Sequence, residues 1–126
     1  MIDVLNSDAS SPIQKLHELQ VIIKIAERCN LACSYCYYFF MGDDSYKDRD
    51  PIMKPDKFST VADYIRRGVD DLGIRDVNIV FHGGEPTLMK ARDFRRLVSA
   101  LRETLAPICA LSLGIQTNGY HLTAEW

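Results

Sequence analysis

The chain has 126 residues, 47% of them hydrophobic and 25% charged, with 15 basic and 17 acidic side chains and a formal net charge of −2. One globular domain of ordinary composition fits those figures, whereas a collagenous, coiled-coil or largely disordered chain does not. Near-neutral charge offers no broad basic field to a nucleic acid, and no apolar run approaches the roughly 20 residues of a membrane span.

Residues 1 to 19 are polar and mixed, broken by Ser7, Ser10, Ser11 and Pro12. They lack the basic flank and apolar stretch of a secretory signal. They read as a flexible leader, with a helical turn or two between Ile13 and Leu19, ahead of a folded unit over residues 20 to 126 of a cytoplasmic protein. The run Val21-Ile22-Ile23-Lys24-Ile25 predicts a buried strand from Gln20 to Ala26. It feeds into a loop that carries Cys29, Cys33 and Cys36, three of the four cysteines. An aromatic patch, Tyr37 to Phe40, follows and is read as a cover for that loop. Gly42 to Pro51 has no apolar periodicity and reads as a charged loop.

Phe58, Val61, Ile65, Val69 and Leu72 recur at spacings of three and four and predict a helix from about Asp56 to Leu72, stopped at Gly73. Val77 to Phe81 predicts a second strand, ending at His82-Gly83-Gly84-Glu85-Pro86. Phe94, Leu97, Val98, Leu101 and Leu105 form the apolar face of a second helix that Pro107 bars from continuing. A third strand, roughly Cys109 to Gln116, leads to Thr117-Asn118-Gly119, and Thr123 to Trp126 looks like the cap and first turn of another helix. Strands alternating with helices predict right-handed crossovers and a parallel sheet, in which ligands gather at the C-terminal strand ends. The cysteine loop, Gly83-Gly84-Glu85 and Gln116-Thr117-Asn118 all fall at such ends.

Cysteines of a reducing compartment that cluster so tightly read as metal-binding or redox-active before they read as a disulfide framework. Three readings stand on the residues. Structural zinc wants four protein ligands, so His82 or Cys109 would have to complete the set. A thioredoxin-like pair, Cys33 and Cys36, leaves Cys29 without a role. Three thiolates with a vacancy suit a four-iron cluster with one iron open. Gly83 and Gly84 allow close backbone approach, and Gln116, Thr117 and Asn118 supply amide and hydroxyl groups, although either segment also encodes a plain strand-end turn. Cys109 opens a buried strand and reads as a small hydrophobe.

The CxxxCxxC spacing of Cys29, Cys33 and Cys36, with Tyr35 before the last cysteine, resembles the signature of the radical S-adenosylmethionine (SAM) superfamily. His82-Gly83-Gly84-Glu85-Pro86 resembles its GGEP motif, and Gln116-Thr117-Asn118-Gly119 the QTNG segment of its anaerobic sulfatase-maturating and peptide-maturase branch. The resemblance implies an α/β fold, a partial (β/α) barrel reduced here to about three βα units with parallel strands. It implies a 4Fe-4S cluster on Cys29, Cys33 and Cys36, and SAM held at Tyr35, Gly83, Gly84, Glu85, Gln116 and Asn118. Glu85 is expected to face the SAM ammonium. The cluster would cleave SAM reductively to a 5′-deoxyadenosyl radical that abstracts hydrogen from a protein or peptide side chain, with a flavodoxin or ferredoxin as reductant. Such cores carry more βα units than this chain, so a fragment of a longer maturase, inactive alone, is expected; a non-catalytic iron–sulfur or zinc module is the alternative.

Overall fold

Main-chain pairing, rather than the hydrophobic run alone, decides where the first strand starts. The computed structural model describes residues 16–126, so the first 15 residues of the leader expected over residues 1 to 19 lie outside the described part. The backbone N–H groups of Arg75 and Asp76 both donate to the His17 carbonyl, at 2.9 and 3.0 Å, and Glu18 pairs with Asp76. Strand β1 therefore spans Glu18–Ala26. It begins two residues before the expected boundary at residue 20, and Glu18 and Leu19 are strand rather than the end of a helical turn.

Strand β2 spans Asp76–Gly83 and β3 spans Ala110–Ile115. The three strands lie in the order β1-β2-β3, with β1 parallel to β2 and β2 parallel to β3. Cys109 stays outside β3 because its N–H still bonds the Leu105 carbonyl at 3.0 Å, so pairing begins with Ala110 N–H on the Arg75 carbonyl at 2.8 Å. The consecutive strand order is that of a barrel wall rather than of a doubly wound sheet, whose order reverses at a switch point.

Helix α1 is one turn, Tyr37–Phe40; α2 spans Phe58–Leu72 after a 3₁₀ turn at Pro55–Lys57, and α3 spans Ala91–Leu105. The 3₁₀ turn occupies the positions where the sequence predicts the start of α2, because Pro55 fixes its first φ and the α-helical ladder opens only at Phe58. Helices α2 and α3 pack on each other and bury Ala62, Ile65, Val69, Leu97, Leu101 and Leu105 against Ile23, Ile25, Val77, Ile79 and Phe81 of the sheet. Each Val, Leu, Ile or Phe side chain among them contributes about 1.5–3 kcal/mol on burial. Leu72, expected on the apolar face of α2, is exposed at the helix end.

On the opposite sheet face, the middle rows Gln20, Asn78, Ser112 and Ile22, Val80, Gly114 stay at least partly open, Ile22 being 60% exposed. Thr123 to Trp126 makes a single turn, Trp126 N–H to Thr123 O at 3.0 Å. The Trp126 ring lies 4.8 Å from Phe94, itself 4.8 Å from Phe81, so this turn closes the top of the core. No helix among the described residues is long and apolar enough to cross a membrane.

Candidate functional site

The parallel register brings the three C-terminal strand ends side by side. Ala26 pairs with Gly83, and Gln116 N–H donates to the Phe81 carbonyl at 2.9 Å. The join between β1 and β2 is close enough to specify glycine. A Cβ on Gly83, whose φ is +139°, would lie 2.1 Å from the Ala26 carbonyl oxygen, and one on Gly84 would lie 2.1 Å from that of Arg28. That approach lets Gly84 N–H and Glu85 N–H donate to the Ala26 and Arg28 carbonyls, both at 2.8 Å. The two glycines therefore fasten the root of the cysteine loop to the end of β2.

The loop has further ties. Leu31 N–H donates to Cys29 Sγ at 3.4 Å, and Cys36 N–H donates to the Cys33 carbonyl at 3.0 Å. Arg28 Nη1 donates to the Tyr46 carbonyl at 2.8 Å. The aromatic patch divides between two tasks. Tyr37 lines the cavity beside the cysteines. Tyr38 and Phe39 turn away, stacking edge-on at 4.7 Å, with Phe39 also edge-on to Tyr46 at 4.8 Å and against Gly84. Half of the expected cover, Tyr38 and Phe39, is thus an aromatic anchor between the cysteine loop and the charged loop, which contains a 3₁₀ turn at Ser45–Asp48.

A cavity of about 310 Å³ lies among these ends, at the lower limit for small-molecule sites. It is lined by Cys29, Cys33 and Cys36, by Tyr35, by Gly83, Gly84 and Glu85, and by Gln116 and Asn118, so every site residue read from the sequence meets there. His82, Leu31, Tyr37 and Thr117 complete the wall. Tyr35 stands 81% exposed, an uncovered ring at the mouth. His82 Nε2 and Gln116 Oε1 are 2.6 Å apart; with Nε2 protonated, His82 donates to the amide oxygen.

Glu85 is 1% exposed, and its carboxylate is already engaged by the protein. Oε1 accepts from Thr87 N–H at 2.9 Å and from the hydroxyls of Thr87 and Thr117, both at 2.6 Å, while Oε2 accepts from Asn118 N–H at 2.8 Å. Burial pushes the Glu85 carboxyl up, but the bonds from Thr117, Thr87 and Asn118 outweigh it and hold the group below the ordinary glutamate range. Glu85, expected to face an ammonium, is thus also a tie between the ends of β2 and β3, and its ionised carboxylate stays in the cavity wall. Thr87 is the residue that sequence reasoning misses; a threonine two positions after a turn carboxylate is the signal that identifies it. Asn30, whose Oδ1 accepts from Asn118 Nδ2 at 3.0 Å, has no such signal.

The donor set suits a cluster better than a lone ion. No three His, Cys, Asp or Glu side chains among the described residues converge as ligands of one ion. Irons of a cluster each take their own thiolate, so three thiols spread around one cavity fit that arrangement. Cys109 lies at the opposite end of β3, about 20 Å away along the strand. Its thiol donates to the Leu105 carbonyl at 3.3 Å, and burial, with Asp76 nearby, pushes its pKa up, as for an inert structural cysteine.

Residues 23–126 match the model of the radical SAM superfamily. The chain is similar to the serine-type anaerobic sulfatase-maturating enzyme of Klebsiella pneumoniae, 35% identical over 105 residues, covering 81% of this chain and 24% of that protein. It is also similar to the cysteine-type enzyme of Clostridium perfringens strain 13, 28% identical over 109 residues, covering 86% of this chain and 28% of the relative. Among solved structures it resembles native anSMEcpe with bound AdoMet, with a TM-score of 0.65 and 26% identity over 86% of this chain and 28% of that one. Native anSMEcpe with bound AdoMet and Cp18Cys peptide aligns with a TM-score of 0.63 and 25% identity over 85% of this chain and 26% of that one. The chain thus spans about a quarter of the length of the relatives it matches.

Proposed function

The chain belongs to the radical SAM superfamily, and from that premise we propose that its 126 residues form the cluster-holding part of a maturase acting on a protein or peptide side chain. The observation that carries the reading is the meeting of Cys29, Cys33 and Cys36 with the ends of β2 and β3 around one cavity. In it Cys29, Cys33 and Cys36 would hold a 4Fe-4S cluster, and the segments Gly83–Glu85 and Gln116–Asn118 would hold SAM beside it. Bound together, these groups supply one-electron cleavage of the sulfonium C–S bond, which leads to hydrogen abstraction from a substrate.

The chain's own residues supply position and shielding. Gly83 and Gly84 hold the cysteine loop against β2, so that the three thiols keep a fixed spacing. Glu85 holds Thr117 and Asn118, and His82 holds the Gln116 amide, which orients polar groups along one wall. Tyr35 offers an open aromatic face at the mouth for stacking against a base. The side-chain substrate is supported by the likeness to sulfatase-maturating enzymes and by the peptide bound in one structural relative. An external flavodoxin or ferredoxin is the reductant in this reading, and turnover requires more of the barrel than this chain spans.

Anaerobic reconstitution with iron and sulfide tests the reading. About four iron and four sulfide per chain are expected, and Cys33→Ala should lose the cluster absorbance. Zinc without acid-labile sulfide, or iron content unchanged in Cys33→Ala, would overturn it. Under dithionite with SAM, the 126-residue chain is expected to hold its cluster without releasing 5′-deoxyadenosine.

A further inference from the structure

Cys29 differs from the other two cysteines of its loop. Its sulfur accepts the Leu31 N–H at 3.4 Å and has Asn118 Nδ2 at 4.0 Å from across the site, whereas no donor reaches the sulfurs of Cys33 and Cys36 among the described residues. The direction of the Asn118 amide is settled by its other partners. Its Oδ1 accepts from Tyr120 N–H at 3.0 Å, so the end turned toward the cysteine loop is Nδ2. One hydrogen of Nδ2 goes to Asn30 Oδ1 at 3.0 Å, which leaves the second for the sulfur. The Asn118 backbone is itself held by Glu85 Oε2 at 2.8 Å, and Oε1 of that carboxylate carries three further donors. A buried anion just beyond β2 thus fixes an amide beyond β3 beside a sulfur beyond β1.

We propose that Asn118 is a positioning residue for Cys29, donating through Nδ2 to its sulfur and so raising the reduction potential of the cluster. This rests on the reading that the three cysteines hold that cluster. The thiol of Cys29 points at Asn30 Oδ1 at 3.9 Å. An iron-bound thiolate would be a stronger acceptor for the Asn118 amide than a thiol is. Reduction adds negative charge to the cluster and its sulfurs. A fixed N–H donor stabilises the reduced form more than the oxidised one, which is how hydrogen bonds to sulfur set cluster potentials.

The experiment is an EPR-monitored redox titration of the reconstituted chain, with iron and acid-labile sulfide measured on every sample. Absence of a cluster in the unmutated chain would refute the cluster reading itself. With the cluster present, Asn118→Ala at full iron content is expected to be harder to reduce. At fixed potential its reduced-to-oxidised ratio should fall about tenfold, equivalent to about 59 mV for one electron. Asn118→Ser is neutral, keeps an acceptor for Tyr120 N–H in the same kind of turn and is too short to reach Cys29. The same shift is expected for it, and it carries the test if the alanine variant does not hold iron. An unchanged potential in Asn118→Ala at full iron, or a wild-type potential in Asn118→Ser, would overturn the assignment.

Discussion

The helix-covered middle of the sheet and the tips of its strands are held by different forces. Under α2 and α3 the sheet is held by apolar burial, with Ile25, Ile79, Leu97, Leu101 and Leu105 fully enclosed. At the strand tips the links are short and directional: two backbone bonds at 2.8 Å through Gly84 and Glu85, and four bonds onto one carboxylate. Burial is non-directional and tolerates volume-conserving change. Close backbone approach and charge-assisted hydrogen bonds tolerate almost none. The site is therefore expected to fail before the fold does when its links are altered, and the fold to weaken without altering the site when the core is.

The sharpest break is Gly83→Ala, which combines a φ of +139° with a Cβ 2.1 Å from the Ala26 carbonyl oxygen. A loss of about 4 kcal/mol or more is expected, together with loss of iron uptake, read by chemical denaturation and iron analysis. Leu101→Ala attacks the other region. It should cost about 3 kcal/mol, seen as a lower Tm. Iron bound per folded chain is expected to stay at the wild-type value, and a proportional loss of iron would show that the two regions are not separable.

Glu85→Gln is smaller in stability, about 1–3 kcal/mol, because one oxygen becomes an amide facing a donor. It also changes the response to pH. Glu85 has a folded pKa held below its ordinary value of 4.5. As pH falls below that value the unfolded chain binds the proton first, so stability from this group is present above it and is lost as pH falls through the folded pKa. The glutamine variant should show a shallower acid-side decline in denaturation midpoint, and an identical decline would remove Glu85 as its source. Least affected is Arg66→Ala on the exposed side of α2. Its pairing with Asp70 spans 3.7 Å between half-exposed side chains, and a change under about 0.5 kcal/mol is expected by denaturant titration.

Local pattern makes the elements legible because period and composition are properties of short segments. The β-branched runs Val21 to Ile25 and Val77 to Phe81 and the stripes through Val69 and Leu101 are strands and helices by that reasoning, and the structure agrees within a few residues. The boundaries that differ do so through partners distant in sequence. Glu18 joins β1 because Asp76 pairs with it, and Cys109 is kept from β3 by a bond back to Leu105.

The cysteine spacing, the paired glycines and the order of motifs along the chain are sufficient for the family and for the list of residues around the cavity. Their individual tasks are not readable there, because a side chain's partner is a matter of tertiary distance. Glu85 in sequence is a carboxylate at a strand end; in the fold it also accepts from four donors, on residues up to 33 positions away. Asn118 in sequence is a turn residue and a polar group for SAM; in the fold its amide also lies 4.0 Å from a cysteine sulfur 89 positions earlier. Motif spacing names the chemistry because ligands close in sequence must be close in space, whereas the parallel register alone decides which distant side chains direct their hydrogen bonds to one another.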